Sequence, residues 1–166
     1  MVILKPVNPA MADTLRTIRL RALQDSPGAF GSTYDREVQF TAADWQRRAA
    51  RCDGDKAIGY LAFDGDTAQA IAVGVLDSDN PARAELVSMW VAPDYRQGGV
   101  GKQLVNGVID WATTKQATAL YLMVTSGNVG AIAFYQRLGF VKTGRTAPYP
   151  HNSRWVEYEM RRALSS

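Results

Sequence analysis

Residues 98–101 contain three glycines and separate an apolar segment, residues 84–91, from an amphipathic one, residues 100–115. The apolar segment is typical of a buried strand, whereas apolar residues of the second segment recur with the spacing of one helix face. A buried strand that turns into a helix favours an α/β fold, because such a strand needs helices to cover it. The turn therefore predicts a sheet covered by helices.

The other elements follow from hydrophobic periodicity and from turn residues such as Asp64-Gly65-Asp66. Together they predict one α/β domain, residues 1–166, with a central mixed sheet of about seven strands and helices on both faces. The expected strands span residues 2–7, 56–64, 69–77, 84–91, 119–124, 140–144 and 155–160, and the expected helices span residues 10–25, 42–51, 100–115 and 128–138.

The composition is that of a globular chain without a nucleic-acid or membrane partner. The net charge is +3 and the basic residues are scattered, whereas a nucleic-acid surface needs a stripe of positive charge. No run of 18 apolar residues occurs, so no membrane-spanning helix is expected. The N-terminal residues lack the apolar stretch of a signal peptide, which leads us to expect a cytoplasmic protein.

Cysteine and histidine usage argues against metal or thiol chemistry. Cys52 is the only cysteine, which excludes an internal disulfide and a cysteine-based metal cluster. His151 is the only histidine and is expected in a surface loop. We therefore expect a reaction that uses no metal and no catalytic cysteine. The oligomeric state stays open, with a homodimer as one alternative.

The glycine-rich turn has the properties of a phosphate-binding loop. The first four N–H groups of a helix lack partners inside the helix, and the helix dipole adds about half a positive charge there. Glycines without Cβ atoms let a pyrophosphate approach that backbone closely, and Arg96 and Lys102 add positive charge nearby. The alternative is a turn whose glycines only let the helix and the strand pack together.

Two segments resemble the motifs of the GNAT superfamily of N-acetyltransferases. The first, Arg96-Gln97-Gly98-Gly99-Val100-Gly101, is similar to the acetyl-CoA signature Arg-x-x-Gly-x-Gly. The second, residues 128–140, reads Asn-x-x-Ala-x-x-Phe-Tyr-x-x-x-Gly-Phe. The resemblance is firm over residues 85–140 and extends in element order over the whole chain. It implies an acyltransferase that uses acetyl-CoA.

The resemblance also implies where acetyl-CoA binds. In that family the cofactor lies between two parallel strands that splay apart, and a bulge in the first strand helps a backbone N–H to stabilise the oxyanion. Without a bulge, strand alternation would place Glu85, Val87, Met89 and Val91 on one face. The residues that the resemblance assigns to the cofactor are Met89, Trp90, Val91, Arg96, Gln97, Gly98, Gly99, Val100, Gly101, Lys102, Asn128, Ala131, Phe134 and Tyr135.

Two residues are candidates for catalysis. Tyr135 matches the tyrosine that donates a proton to the departing thiolate in the family, and a phenol of pKa about 10 can protonate such a thiolate at little cost. Glu85 would accept a proton from the attacking amine, which is almost wholly protonated at neutral pH. The alternatives are a core tyrosine packed beside Phe134 and an exposed glutamate at the start of a strand, next to Arg83.

The acceptor is expected to be a primary amine of a small molecule or a peptide, bound opposite the cofactor. Residues 25–34 and 145–155 are rich in Gly, Pro, Ser and aromatic residues, as binding loops often are. Ordinary surface loops are the alternative. The residues expected to contact the acceptor are Phe30, Tyr34, Glu85, Tyr149, Trp155 and Glu157. For the whole chain, the rival function is a non-catalytic acyl-CoA-binding module on the same fold.

Overall fold

The computed structural model describes residues 1–165 as a seven-stranded mixed sheet with helices on both faces, which confirms the predicted α/β fold. The strands are β1 Val2–Pro6, β2 Ala57–Asp64, β3 Thr67–Leu76, β4 Arg83–Val91, β5 Ala119–Thr125, β6 Val141–Pro148 and β7 Val156–Ala163. The helices are α1 Ala12–Asp25, α2 Tyr34–Glu37, α3 Ala42–Arg51, α4 Val100–Thr114 and α5 Val129–Arg137.

Two elements differ from the sequence prediction. The short helix α2 was not predicted, because four residues cannot display a helical period; Thr33 caps it by accepting a hydrogen bond from the Arg36 N–H. Strand β6 continues to Pro148, although Gly144 was expected to end it. Gly144 has φ +94° and lies where the β6–β7 register shifts, so it forms an irregularity within the strand.

The strand order is β1-β2-β3-β4-β5-β7-β6. All neighbouring strands are antiparallel except β4 and β5, which are parallel and are connected through α4. Because a parallel connection must cross from one end of the sheet to the other, α4 lies against the sheet and begins beside the end of β4. The glycine-rich turn is therefore placed at the edge where β4 ends.

Each face of the sheet has its own hydrophobic core. The α4 face is the face covered by α4 and α5, and its core includes Leu104, Leu120 and Phe140. The α1 face is the face covered by α1 and α3, and its core includes Ile18 and Trp45. The two cores meet only through the sheet, so a residue's position along a strand decides which set of helices it contacts.

No helix in the part of the chain described, residues 1–165, is long and apolar enough to cross a membrane. Within the same residues, no three His, Cys, Asp or Glu side chains are grouped so that they could hold a metal ion.

Candidate functional site

Strands β4 and β5 separate to leave a cleft in the middle of the sheet. They pair only where residues 83–85 meet residues 119–121, and beyond Glu85 they diverge. The cleft has a volume of about 90 Å³. Its walls come from β4, β5, the turn before α5, α5 itself and the loop after α1: Ala29, Leu86, Val87, Ser88, Met89, Leu122, Met123, Val124, Thr125, Asn128, Ala131 and Tyr135. The splayed parallel strands expected from the resemblance are thus present.

A bulge lies on the β4 wall of this cleft. Val87 pairs with Val73 and Trp90 pairs with Ile71, so that Ser88 and Met89 together stand opposite one β3 residue. Ser88 has φ +55°, the left-handed region that few residues other than glycine adopt. The kink turns the backbone of β4 at the cleft, where β4 and β5 no longer form hydrogen bonds with each other.

The bulge changes which face each β4 residue occupies. Val87 stands opposite Val73 and shares the α1 face, and Glu85, two residues earlier, points the same way. Met89 and Val91 instead pack against the core of the α4 face. The simple alternation that puts all four residues on one face is therefore broken, because the bulge inserts one extra residue.

The glycine-rich turn surrounds the start of α4. Gly99 is the N-cap residue with φ +86°, and Gln97 before it has φ +69°. A Cβ at Gly99 would meet nothing within 4 Å, so the backbone here borders open space. A Cβ at Gly101 would lie 3.1 Å from Phe134 Cζ and 3.4 Å from Met89 Cε. Gly99 therefore provides the backbone conformation, whereas Gly101 lets α4 approach the bulge and α5.

Arg96 holds the turn in place with its side chain. Its Nε donates to the Val91 carbonyl at 2.8 Å, and its terminal nitrogen donates to Asp25 Oδ2 at 2.8 Å. The Trp90 Nε1–H donates to the same carboxylate oxygen at 3.0 Å. The guanidinium is thus already engaged with the end of α1, so its first role in this structure is to fix the turn.

Tyr135 lies on the α5 wall of the cleft and is only 8% exposed. Its ring packs against Phe134 and Phe140, with centroid distances of 5.3 and 5.7 Å. Burial raises the pKa of the Tyr135 hydroxyl, so the phenol keeps its proton at neutral pH. Asn128 caps α5 by accepting a hydrogen bond from the Ala131 N–H at 3.2 Å. Tyr135 is therefore both part of the core and part of the cleft.

Glu85 lies on the α1 face, one residue before the cleft opens. Its side chain is 37% exposed, and its Oε1 is 3.4 Å from Arg83 Nε. Arg83 also donates to buried Glu159 at 2.9 Å and stacks 3.7 Å above the ring of Tyr121. Glu85 thus has access to solvent and a fixed cation beside it.

The two loop segments expected to bind the acceptor meet on this same face. The Tyr149 hydroxyl donates to the Phe30 carbonyl at 2.9 Å, and His151 Nε2 lies 2.9 Å from the Gly31 carbonyl. Trp155 packs so closely on Gly28 that a Cβ there would lie 2.9 Å from its ring. The loops therefore close on one another beside the cleft, where Ala29 forms part of the wall.

The expected acceptor residues differ in how much they present to solvent. Phe30 and Tyr149 are 5% and 4% exposed, so they support the loops from beneath. Tyr34, Trp155 and Glu157 are partly exposed. Burial raises the pKa of Glu157, which stands opposite Thr125, a residue of the cleft wall. The partly exposed residues are those that a ligand can reach directly.

A buried charged cluster on the α1 face was not predicted. Arg19 is 7% exposed and binds Glu37 through two hydrogen bonds of 3.0 Å. Arg48 donates to the same carboxylate at 2.8 Å. Burial alone would raise the pKa of Glu37, but these hydrogen bonds outweigh it and lower the pKa to about 2. The only hint in the sequence is an arginine between Ile18 and Leu20 in an apolar helix stripe.

Comparison with known proteins identifies the family. The model of the acetyltransferase (GNAT) family matches residues 17–140. The chain is 31% identical over 131 residues to the [ribosomal protein bS18]-alanine N-acetyltransferase of Salmonella typhimurium, covering 76% of this chain and 81% of that protein. It is 42% identical over 57 residues to an uncharacterized N-acetyltransferase of Methanocaldococcus jannaschii. That match covers 34% of this chain and 25% of that protein.

A solved structure agrees with the fold over the whole chain. It is that of a candidate acetyltransferase from Salmonella typhimurium with its cofactor acetyl-CoA. The two folds superpose with a TM-score of 0.82 at 16% identity, covering 100% of this chain and 95% of the other. With the family model matching most of the chain and the fold in agreement, the chain belongs to the GNAT family of acetyltransferases.

Proposed function

We propose that the chain transfers the acetyl group of acetyl-CoA to a primary amine, by direct attack in a ternary complex and without a metal. The observation that carries this proposal is the cleft between β4 and β5, which has the bulge on one wall and Tyr135 on the other. The Salmonella typhimurium structure that holds acetyl-CoA supports the choice of co-substrate.

The backbone around the cleft suits the two ends of acetyl-CoA. Beyond Glu85, β4 faces β5 without hydrogen bonds to it, so the amide groups of a pantetheine arm can take the place of the missing strand contacts. The free N–H groups at the start of α4 suit the pyrophosphate, and the open space at Gly99 leaves room for it. Arg96 supports this site by holding the turn, and Lys102 adds charge in the first turn of α4.

The transfer itself needs an oxyanion stabiliser and a proton donor. The amine nitrogen attacks the thioester carbon, and a backbone N–H of the bulge, within residues 89–91, stabilises the oxygen as it gains negative charge. When the carbon–sulfur bond breaks, Tyr135 gives its proton to the thiolate. The raised pKa of Tyr135 is compatible with this role, because it keeps the phenol protonated at neutral pH until the thiolate forms.

The attacking amine must first lose a proton. Glu85 lies on the α1 face, from which the acceptor would approach, and its side chain is 37% exposed to solvent. It accepts the amine proton directly or through a water, with Arg83 fixing its position. Once the carbon–nitrogen bond has formed, the nitrogen loses its second proton, which passes through water to the Tyr135 phenolate and restores the hydroxyl. The first proton leaves Glu85 for solvent, which completes the cycle.

The α1 face beside the cleft is the proposed acceptor site. Tyr34 and Trp155 offer aromatic surfaces for a cationic amine, and Glu157 offers a carboxylate, while Phe30 and Tyr149 hold the loops together. A peptide whose N-terminal residue is alanine is one acceptor to test, since a relative carries that activity in its name. Small-molecule amines form the other class.

The test is a panel of small-molecule and peptide amines incubated with acetyl-CoA. We expect release of free thiol and an acetylated product in equal amounts, identified by mass spectrometry, with at least one amine. A matched reaction without the protein controls for uncatalysed transfer. Tight acetyl-CoA binding without transfer to any amine would instead favour the non-catalytic acyl-CoA-binding module.

A further inference from the structure

The buried charged cluster on the α1 face reaches the wall of the cleft. Arg19 points one nitrogen at Ser88 Oγ, 3.3 Å away, while its other nitrogens bind Glu37. The same guanidinium lies 4.7 Å from the centroid of the Phe30 ring. Arg19 thus contacts the β4 bulge at Ser88, the loop after α1 at Phe30 and helix α2 at Glu37.

Stability alone is a weak reason for such a cluster. Taking an arginine and a glutamate out of water costs free energy, and a well-packed apolar pair often stabilises a core at least as much as a buried ion pair does. Arg48 supplies a second cation to Glu37, so the carboxylate remains charged and Arg19 is held in a fixed orientation. A fixed guanidinium is useful where it must hold another group in place.

The backbone conformation of Ser88 requires stabilising contacts. Its left-handed backbone is unfavourable for a residue with a Cβ, and such conformations persist only when surrounding contacts enforce them. The backbone N–H groups that follow Ser88 are those proposed to stabilise the oxyanion. A small rotation of this kink would therefore move them away from the thioester.

We infer that Arg19 is a positioning residue for acetyl transfer: anchored by Glu37, it holds Ser88 and thereby keeps the bulge of β4 turned towards the cleft. This inference rests on the proposed function. It adds that the α1 face, through a side chain that touches neither substrate, sets the geometry of the oxyanion site. Residue 19 should accordingly influence kcat more than the KM for either substrate.

Ser88 is the better position for the test, because replacing Arg19 leaves Glu37 buried with one cation fewer, which destabilises the fold itself. Ser88→Ala removes only the hydroxyl and keeps a Cβ in the left-handed position. Ser88→Gly removes the same hydroxyl but tolerates that backbone. Ser78→Ala, in the exposed turn between β3 and β4, is the matched control.

With Ser88→Ala we expect kcat to fall at least fivefold at saturating substrates, with the KM for acetyl-CoA changed less than twofold. Deuterium uptake in a peptide covering residues 86–91 should become faster. Ser88→Gly should lose less activity than Ser88→Ala, because its backbone keeps the kink without strain.

A smaller loss of kcat with Ser88→Ala, or equal losses in the two variants, would overturn the positioning role. Equal losses would show that the hydroxyl matters rather than the kink. Deuterium exchange does not depend on turnover. Unchanged exchange in Ser88→Ala therefore also contradicts the inference, whereas a parent chain that transfers to no amine contradicts only the proposed function.

Discussion

The α4 face and the α1 face enclose the same strands but are held by different kinds of contact. On the α4 face, small residues let the helix come close: a Cβ at Gly74 would lie 2.7 Å from Val108, and one at Gly101 would lie 3.1 Å from Phe134. On the α1 face, long side chains connect distant segments. Arg19 reaches Glu37, and Tyr149 reaches the carbonyl of Phe30.

The difference follows from what each face has to bind. A cofactor recognised through its pyrophosphate and amides needs exposed backbone, which small residues and a helix start provide. An acceptor recognised through its own functional groups needs side chains that are held in position. We therefore expect changes of pH and charge to act mainly through the α1 face, and changes of side-chain volume mainly through the α4 face.

The largest effect is expected from acid on the α1 face. The folded-state pKa of Glu37 is about 2, below its ordinary value of about 4.3, so the charged carboxylate stabilises the fold fully above pH 5. This contribution, about 3 kcal/mol, should be lost as the pH falls from 5 towards 2. Denaturant unfolding across this range measures it.

Glu37→Gln provides the control, since other carboxylates titrate in the same range. The variant should be less stable than the parent chain at pH 7, and the difference should shrink as the pH falls. A difference that stays constant down to pH 2 would mean that the charge of Glu37 is not what stabilises the α1 face.

On the α4 face, the largest effect is expected at Tyr135. Tyr135→Phe keeps the ring and its packing against Phe134 and Phe140 but removes the proton. We expect kcat to fall about 10²-fold, within the range for general acids, while acetyl-CoA affinity changes little. Steady-state kinetics and calorimetry separate the two quantities. A loss of activity no larger than the loss of folded protein would assign Tyr135 to the core alone.

Tyr135 and Glu37 show why the motifs on the α4 face could be found in the sequence, whereas the contacts across the α1 face could not. Gly99, Gly101 and Tyr135 lie in short motifs whose spacing reflects helices and turns close in the chain. The residues that contact one another on the α1 face are far apart in the sequence: Arg19 and Ser88 are separated by 69 residues, and Phe30 and Tyr149 by 119. Such contacts leave no local pattern, and α2, which carries Glu37, is too short to display one.

The bulge in β4 lies between these two cases. The family resemblance implied it, but nothing in residues 84–91 distinguishes Ser88 as the residue with a left-handed backbone. Its conformation depends on pairing with β3 and on contact with Arg19, both of which form only in the folded sheet. For the same reason, strand alternation could not show on which face of the sheet the β4 residues after Val87 lie.

A smaller effect is expected from side-chain volume at the start of α4. Gly101→Val would push against Phe134 and Met89, so it should weaken acetyl-CoA binding at least tenfold, about 1.4 kcal/mol. Calorimetric titration of the folded variant measures this. Gly107→Ala is the control, because it adds a side chain to the same helix but facing Tyr60, whose ring would lie 3.3 Å from the new Cβ. Equal affinities for parent and Gly101→Val would mean that the close packing of α4 on the bulge and α5 does not shape the acetyl-CoA site.

The smallest effect is expected on the acceptor side. Glu157→Gln removes a carboxylate next to the cleft and should raise the KM for the amine roughly fivefold, about 1 kcal/mol, with the KM for acetyl-CoA nearly unchanged. Tyr149→Ala should act in the same direction by loosening the loop that contains Phe30. Asp66→Asn, in the exposed β2–β3 turn, is the control. A change in the KM for acetyl-CoA alone would mean that the acceptor binds elsewhere.

Hydrogen–deuterium exchange with and without acetyl-CoA shows whether acetyl-CoA occupies the cleft between β4 and β5. We predict slower exchange in three segments, residues 86–91, 97–102 and 125–131, because their free backbone groups would be engaged by the cofactor. The loops of the α1 face should change less. Protection that is absent from the bulge and the glycine-rich turn, or that falls mainly on the α1 face, would mean that acetyl-CoA does not bind in this cleft.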